Sequence, residues 1–294
     1  MKVKNIFRGL GIALITPFKE DGQVDYEKLE ELTEFQINHG TDFLCVLGTT
    51  AETPCLSAPE KKKIVETIIR VNAGRLPLLL GAGSNCTQDV IDYIKEVPEG
   101  IDAVLLVAPY YNKPSQEGLY QHYKAIAQAS RLPIVLYNVP GRTGVNIEAD
   151  TTLRIAHDCP NVVAIKEASG KITQIEHIIE NAPENFEVLS GDDAITFELL
   201  TLGAKGVISV LGNSYPSEFS EMVHAGIEGN TAHSLEIHRK FAELFPLLSV
   251  DGNPSGIKCL LHAQGKIKNI LRLPLTPVRE TTQQSINNFV RKFT

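Results

Sequence analysis

The stretch Pro133-Ile134-Val135-Leu136-Tyr137-Asn138-Val139-Pro140-Gly141-Arg142-Thr143-Gly144 runs from apolar residues through polar ones into a turn. A short, near-continuous apolar run of this kind fits a strand buried on both faces, as in a parallel sheet covered by crossover helices. The Pro and Gly residues after it end the strand. Seven more such runs begin near Gly11, Phe43, Leu76, Ala103, Val162, Phe186 and Gly206, spaced roughly 20 to 33 residues apart.

The gaps between runs read as single helices. Ser57-Ala58-Pro59-Glu60 is a capping box that opens the stripe Ile64, Val65, Ile68 and Val71, and Gly74 stops it. Ser115 opens a second helix, with Leu119, Tyr123, Ile126 and Ala127 on one face. A third carries Ile172, Ile175, Ile178 and Ile179. Eight strand–helix units, with polar residues after nearly every strand, predict an α/β fold of the closed (β/α)8 TIM barrel type, whose strand ends surround one mouth. An open doubly wound sheet is the competing architecture. After Gly229 the strand signal stops. Leu235, Phe241, Leu244, Phe245 and Leu248 space as one helical face, and 256–264 and 281–293 read as two further helices. The expected organisation is a barrel over 1–229 and a C-terminal helical extension over 230–294 packed on it.

The 294 residues carry 28 Lys and Arg against 35 Asp and Glu, a net charge of −7. That balance offers no general attraction to nucleic acid or to anionic membranes, so neither is an expected partner. The longest apolar runs fall far short of the ~20 residues that span a bilayer. Met1-Lys2-Val3-Lys4-Asn5-Ile6-Phe7-Arg8 is basic but leads into Gly9-Leu10-Gly11-Ile12-Ala13-Leu14-Ile15-Thr16-Pro17, which ends in Pro rather than a small-residue cleavage site and is read as a first strand, not a signal peptide. Five cysteines, an odd number without a C-x-x-C pair, suit a reducing cytoplasm. His233 and His238 stand five apart, the wrong spacing for a helical metal pair, and no metal site is expected.

Lys166 ends the run Val162-Val163-Ala164-Ile165-Lys166, where period-2 alternation puts it on the face of Val162 and Ala164. Burying a lysine is costly unless it is paired, and it favours the neutral amine, which can form an imine with a carbonyl substrate. The structural alternative is an ion pair with Glu167 or Asp192. Tyr137, on the preceding strand, is a candidate proton shuttle or a core aromatic. Arg142, in a Gly-bracketed loop, suits a substrate carboxylate or plain solvent. Thr49 and Thr50, after Gly48, offer hydroxyls and backbone donors at another strand end, a pattern also common in turns. Three patterns carry no chemistry. Gly81-Ala82-Gly83-Ser84-Asn85 lacks the third glycine of a dinucleotide fingerprint, and Ser169-Gly170-Lys171-Ile172-Thr173 lacks phosphate-loop spacing. Asp192-Asp193 reads as a dipole-favoured helix start rather than a metal pair.

In combination these segments are far more specific. Gly48-Thr49-Thr50-Ala51-Glu52, Pro109-Tyr110-Tyr111-Asn112-Lys113-Pro114, Tyr137-Asn138-Val139-Pro140-Gly141-Arg142-Thr143-Gly144, Ile165-Lys166-Glu167-Ala168-Ser169 and Leu189-Ser190-Gly191-Asp192-Asp193 closely resemble the dihydrodipicolinate synthase family. The likeness runs from Gly11 to about Pro277 and includes Asn253-Pro254. It implies a barrel with a helical C-terminal domain, a homotetramer built from two tight dimers, and no metal or organic cofactor. It also implies condensation of pyruvate with L-aspartate 4-semialdehyde through a lysine imine, in the diaminopimelate and lysine pathway. By matching motif, Lys166 is the imine-forming residue, and Tyr137, Thr49 and Tyr111 are the proton relay, with Tyr111 reaching into a neighbouring subunit. Arg142 would bind the semialdehyde carboxylate and Thr50 the pyruvate carboxylate, with Gly191 and Ile208 lining the pyruvate pocket. For the lysine-binding pocket that some members hold at the tight-dimer interface, Asn85 and Tyr110 match. Asp89 replaces a longer acid, and Lys61 and Ala58 stand where sensitive members have histidines. An added ammonium repels a cationic ligand, so weak or absent inhibition by lysine is expected.

Two other readings compete. Another pyruvate-dependent lyase, such as N-acetylneuraminate lyase, would share the lysine and tyrosine, but resembles this pattern with Ser-Thr in the first motif and no arginine after the Tyr-Asn-x-Pro turn. A non-catalytic small-acid binding protein could keep the scaffold, since fold does not fix function.

Overall fold

The computed structural model describes residues 6–293, so the reading of Met1-Lys2-Val3-Lys4-Asn5 lies outside the described residues. Eight strands, β1 (Gly9–Ala13), β2 (Phe43–Val46), β3 (Leu78–Gly81), β4 (Ala103–Val107), β5 (Ile134–Asn138), β6 (Val162–Glu167), β7 (Glu187–Ser190) and β8 (Gly206–Ser209), pair in parallel in chain order. The first and last also pair, Gly9 opposite Gly206 and Ile12 opposite Ser209, which closes the barrel. The open-sheet alternative is excluded. Strand β3 starts at Leu78 rather than Leu76, since Pro77 has no N–H to give a ladder and serves only as acceptor for the Leu44 N–H.

Around the strands lie α1 (Tyr26–Asn38), α2 (Ala58–Asn72), α3 (Thr87–Lys95), α4 (Gln116–Ala129), the short α5 (Pro140–Thr143), α6 (Ala149–Asp158), α7 (Ile172–Asn181), α8 (Thr196–Leu202) and α9 (Pro216–Ile227). The Ser57 capping box is formed: its hydroxyl accepts from the Glu60 N–H, and the Glu60 carboxylate accepts from the Ser57 N–H. Helices α10 (Thr231–Lys240), α11 (Leu244–Ser249), α12 (Ser255–Ala263) and α13 (Glu280–Phe293) follow. The single face expected from Leu235 to Leu248 is therefore two helices. Pro246 is tolerated only in a first turn, so the helix restarts at Leu244 after a tight turn in which the Leu244 N–H donates to the Phe241 carbonyl at 2.8 Å.

Two apolar clusters alternate along the strands. Ile134, Leu136 and Ile165 pack outward under the helices, while Val135, Tyr137 and Ala164 fill the barrel. At the lower end Phe7 meets Phe43 edge-on at 5.2 Å between ring centres. Gly11 makes this possible, because a Cβ there would sit 2.2 Å from the Phe43 ring. The unbroken alternation expected from Val162 to Lys166 does not hold. The β5–β6 register runs Ile134 to Val162 and then Val135 to Ala164, so Val163 is an extra residue in the ladder. Val162 consequently faces the helices, Val163 and Ala164 lie toward the barrel interior, and regular alternation resumes only from Ala164. No helix among the described residues is long and apolar enough to cross a membrane.

Candidate active site

Strands β5 and β6 end side by side, with Tyr137 opposite Lys166 and Asn138 opposite Glu167. The interior members of these two pairs are Tyr137 and Lys166, 6% exposed each. The Lys166 Nζ lies 4.5 Å from the centre of the Tyr137 ring. Among the described residues the Lys166 side chain makes no ion pair and no hydrogen bond, so the structural alternative of a carboxylate partner is not realised. Glu167 is committed elsewhere, accepting from Asn138 Nδ2 and, at 2.6 Å, from Ser169 Oγ. Burial pushes the Glu167 carboxyl upward, against these donors. Asn138 also accepts the Ile147 N–H at 3.0 Å and donates to Asn146 at 3.0 Å. Behind the lysine–tyrosine pair, therefore, an outward-facing polar network ties the ends of β5 and β6 together. Cys45 lies in the barrel interior with them; burial drives its thiol up to about 11, the Lys166 charge opposing, so it is present as the neutral thiol.

Lys166 opens into a cavity of about 400 Å³ that is also lined by Thr50, Tyr137, Arg142, Gly191 and Asn253. Gly191 is required by close approach: a Cβ there would lie 2.8 Å from Ala168 Cβ and 3.1 Å from Lys166 Cγ. Thr50 is buried, and its hydroxyl accepts from Asn253 Nδ2 at 3.0 Å. Arg142 stands exposed on α5, its guanidinium donating to the Asn253 carbonyl at 3.3 Å. Asn253 thus joins the C-terminal segment to two candidate substrate-binding side chains. The sequence shows Asn253 only as part of the Asn253-Pro254 likeness and carries no signal of this role.

The predicted residues do not all meet in this cavity. Thr49 lines an adjoining space of about 380 Å³ together with Lys61 and Tyr110, and Tyr137 and Arg142 form part of both walls. Ile208 lies in the barrel core and lines neither space. Asn85 just precedes α3 and Asp89 lies in its first turn; both are exposed and outside both spaces. Tyr111 is 85% exposed and lines neither cavity, and its backbone φ of 76°, like the 49° of Lys113, is in the left-handed region that non-glycine residues avoid.

Asp192 and Asp193 divide their work. Asp192 caps the following turn, accepting from the Ala194 N–H at 3.0 Å, as a helix-start acid should. Asp193 is buried and accepts the N–H groups of Val210 at 3.0 Å and Leu211 at 2.7 Å, tying the end of β7 to the end of β8. Burial raises its carboxyl to about 6, with the Leu211 N–H pulling the other way, and its Oδ1 has no hydrogen-bond partner.

A model described as the dihydrodipicolinate synthetase family matches residues 6–293. The chain belongs to that family. Relatives include the 4-hydroxy-tetrahydrodipicolinate synthases of Phocaeicola vulgatus, 60% identical with 95% of each chain covered, and of Parabacteroides distasonis, 58% identical with 97% and 96% covered. Among solved structures, a dihydrodipicolinate synthase from Acinetobacter baumannii in complex with pyruvate is similar at a TM-score of 0.94 and 42% identity, with 98% of each chain covered. The family resemblance and the TIM-barrel reading of the sequence are both borne out, and this family member is an enzyme.

Proposed function

We propose that the chain acts as a 4-hydroxy-tetrahydrodipicolinate synthase, joining pyruvate to L-aspartate 4-semialdehyde through an imine on Lys166. The observation that carries this reading is a buried lysine without a counter-ion, beside Tyr137, opening into a cavity shared with Thr50 and Arg142. The free amine of Lys166 adds to the pyruvate ketone, and water leaves as the protonated imine forms. That imine accepts the electron pair released when the methyl group loses a proton, giving an enamine. The enamine carbon bonds to the aldehyde carbon, whose oxygen takes up a proton. The amine of the semialdehyde then displaces Lys166, closing the ring and freeing the enzyme.

Hydroxyl groups suit these proton movements because each both donates and accepts. Tyr137 is nearest the imine, and Thr49 and Tyr111 complete the relay. Thr50 receives the pyruvate carboxylate, Arg142 that of the semialdehyde, and Gly191 shapes the pyruvate end, with Ile208 contributing from the barrel core rather than from the cavity wall. Left-handed, exposed Tyr111 is built for a contact outside its own chain, in keeping with a homotetramer of two tight dimers in the cytoplasm. Tyr111→Phe is expected to cut the rate, and mixing it with inactive Lys166→Ala subunits restores some activity only if the tyrosine works across an interface. Asn85, Asp89, Tyr110 and Lys61 belong to a lysine-insensitive version of the interface pocket. Half-maximal inhibition at submillimolar lysine would overturn that reading.

The deciding experiment is incubation with pyruvate, borohydride reduction and peptide mass spectrometry. An adduct is expected on Lys166. Its absence in folded protein removes the imine mechanism and favours a small-acid binding protein, while turnover of N-acetylneuraminate rivalling the condensation would favour a sialic-acid lyase.

A further inference from the structure

We infer that Glu52 and Lys258 form a positioning pair for pyruvate: Lys258, carried by α12, grips Glu52 and so fixes the Thr49–Ala51 turn that presents Thr50. This rests on the reading of Thr50 as the group that receives the pyruvate carboxylate.

Neither Glu52 nor Lys258 lines the Lys166 cavity or the space beside it, so their influence on that site passes through the turn. Glu52 follows Thr49–Ala51 directly, and its N–H donates back to the Thr49 carbonyl at 3.1 Å. Its φ of 56° is left-handed, unfavourable for a residue with a Cβ, and persists only where surrounding contacts impose it. Those contacts are polar and buried. The Glu52 carboxylate pairs with the Lys258 ammonium, both residues being nearly or wholly withdrawn from solvent, and accepts the Arg272 backbone N–H at 3.0 Å.

Lys258 has no slack to give. Its Nζ also donates to the Ile270 carbonyl at 3.0 Å and sits 4.0 Å from the centre of the Phe18 ring. Arg272 extends the frame, donating to Glu60 at 2.6 and 2.9 Å, to Gly22 O at 2.8 Å and to Cys55 O at 2.9 Å. Burial draws the Lys258 ammonium down to about 8, and the Glu52 charge opposes this.

The same segment reaches Thr50 twice. Asn253, just before α12, donates to the Thr50 hydroxyl, and Lys258 within α12 holds the backbone bend two residues beyond. A well-packed apolar pair of similar volume is often at least as stable as a buried ion pair. Stability alone therefore does not account for charges at this place, whereas the need to set one backbone geometry does.

The test uses the full-length chain, with pyruvate varied at saturating semialdehyde. The variants are Lys258→Met, the double variant Glu52→Gln/Lys258→Met, and Thr50→Ala. Lys258→Met is expected to raise the KM for pyruvate about tenfold while kcat changes less than about threefold. The double variant, free of an unpaired buried charge, regains thermal stability but keeps the raised KM. Adding Thr50→Ala to it raises KM by much less than Thr50→Ala does alone, since both changes act on one contact. If the KM of the double variant returns to within about twofold of wild type together with its stability, the pair is structural and the proposal fails. Should Lys258→Met not fold, the double variant alone decides between these outcomes. An unchanged KM in Thr50→Ala, with the Lys166 adduct still trapped, overturns the reading of Thr50 and the proposal with it; a raised KM there beside an unchanged one in the double variant overturns the proposal alone.

Discussion

Lys166 and Lys258 are both withdrawn from solvent, 6% and 0% exposed, yet one has its donors free and the other has them filled. Lys258 faces a carboxylate, a carbonyl and an aromatic ring. Lys166 faces the Tyr137 ring, a neutral thiol and a cavity. An ammonium has three donors. Where the fold satisfies them the lysine is a strut, and where it leaves them open beside a cavity the partner must come from outside.

The sharpest way to break this contrast is to truncate each lysine and measure turnover and unfolding in parallel. Lys166→Ala should reduce kcat by more than about 10³-fold while leaving the urea midpoint at or above that of the parent chain. Residual activity within about tenfold of the parent would show that the nucleophile is misassigned. Lys258→Met should do the reverse in the stability channel, losing about 3–5 kcal/mol because Glu52 is left buried and unpaired. Equal destabilisation by Lys166→Met would erase the distinction between strut and reagent.

Asp193 sharpens the comparison from the acidic side, since it too is buried at the cavity with one polar atom unused. Its carboxyl is raised from 3.8 to about 6, so the folded chain holds a proton that the unfolded chain releases. The stabilisation from that proton is complete below about pH 4 and is lost as the pH rises through 6. By linkage the loss amounts to roughly 3 kcal/mol. Denaturant melts of Asp193→Asn and the parent chain between pH 4 and 7 should diverge by that amount, and parallel curves would refute the assignment.

Much of this is legible from sequence because its cause is local. Eight apolar runs with polar ends report the barrel directly, and Ser57 with Glu60 reports a helix start that is then formed. Lys166 and Tyr137 are readable as a pair because each occupies the last interior position of consecutive strands. What stays hidden depends on contacts between distant segments. Asn253 touches Thr50 and Arg142 across 203 and 111 residues, and Glu52 meets Lys258 only once the helical segment has folded over the barrel. A lone lysine within Ile257-Lys258-Cys259-Leu260-Leu261 is the available signal, a charge where helix periodicity demands an apolar side chain. Asp193 reads as an ordinary helix-start acid because its tie to Val210 and Leu211, 17 and 18 residues on, joins two strand ends that meet only once β7 and β8 have paired.

The extra residue at Val163 also decides on which side of the barrel wall Lys166 is delivered. Counting from Val162, which faces the helices, an uninterrupted strand would deliver position 166 to the helices as well. With the irregularity, the same count ends inside the barrel. Transplanting the chemistry to another barrel therefore means grafting the strand from its defect onward rather than the lysine alone. By the same parity, loss of Val163 is a gentler injury than gain of one residue after Ala164: the first straightens the strand, the second turns the reagent to face the wall.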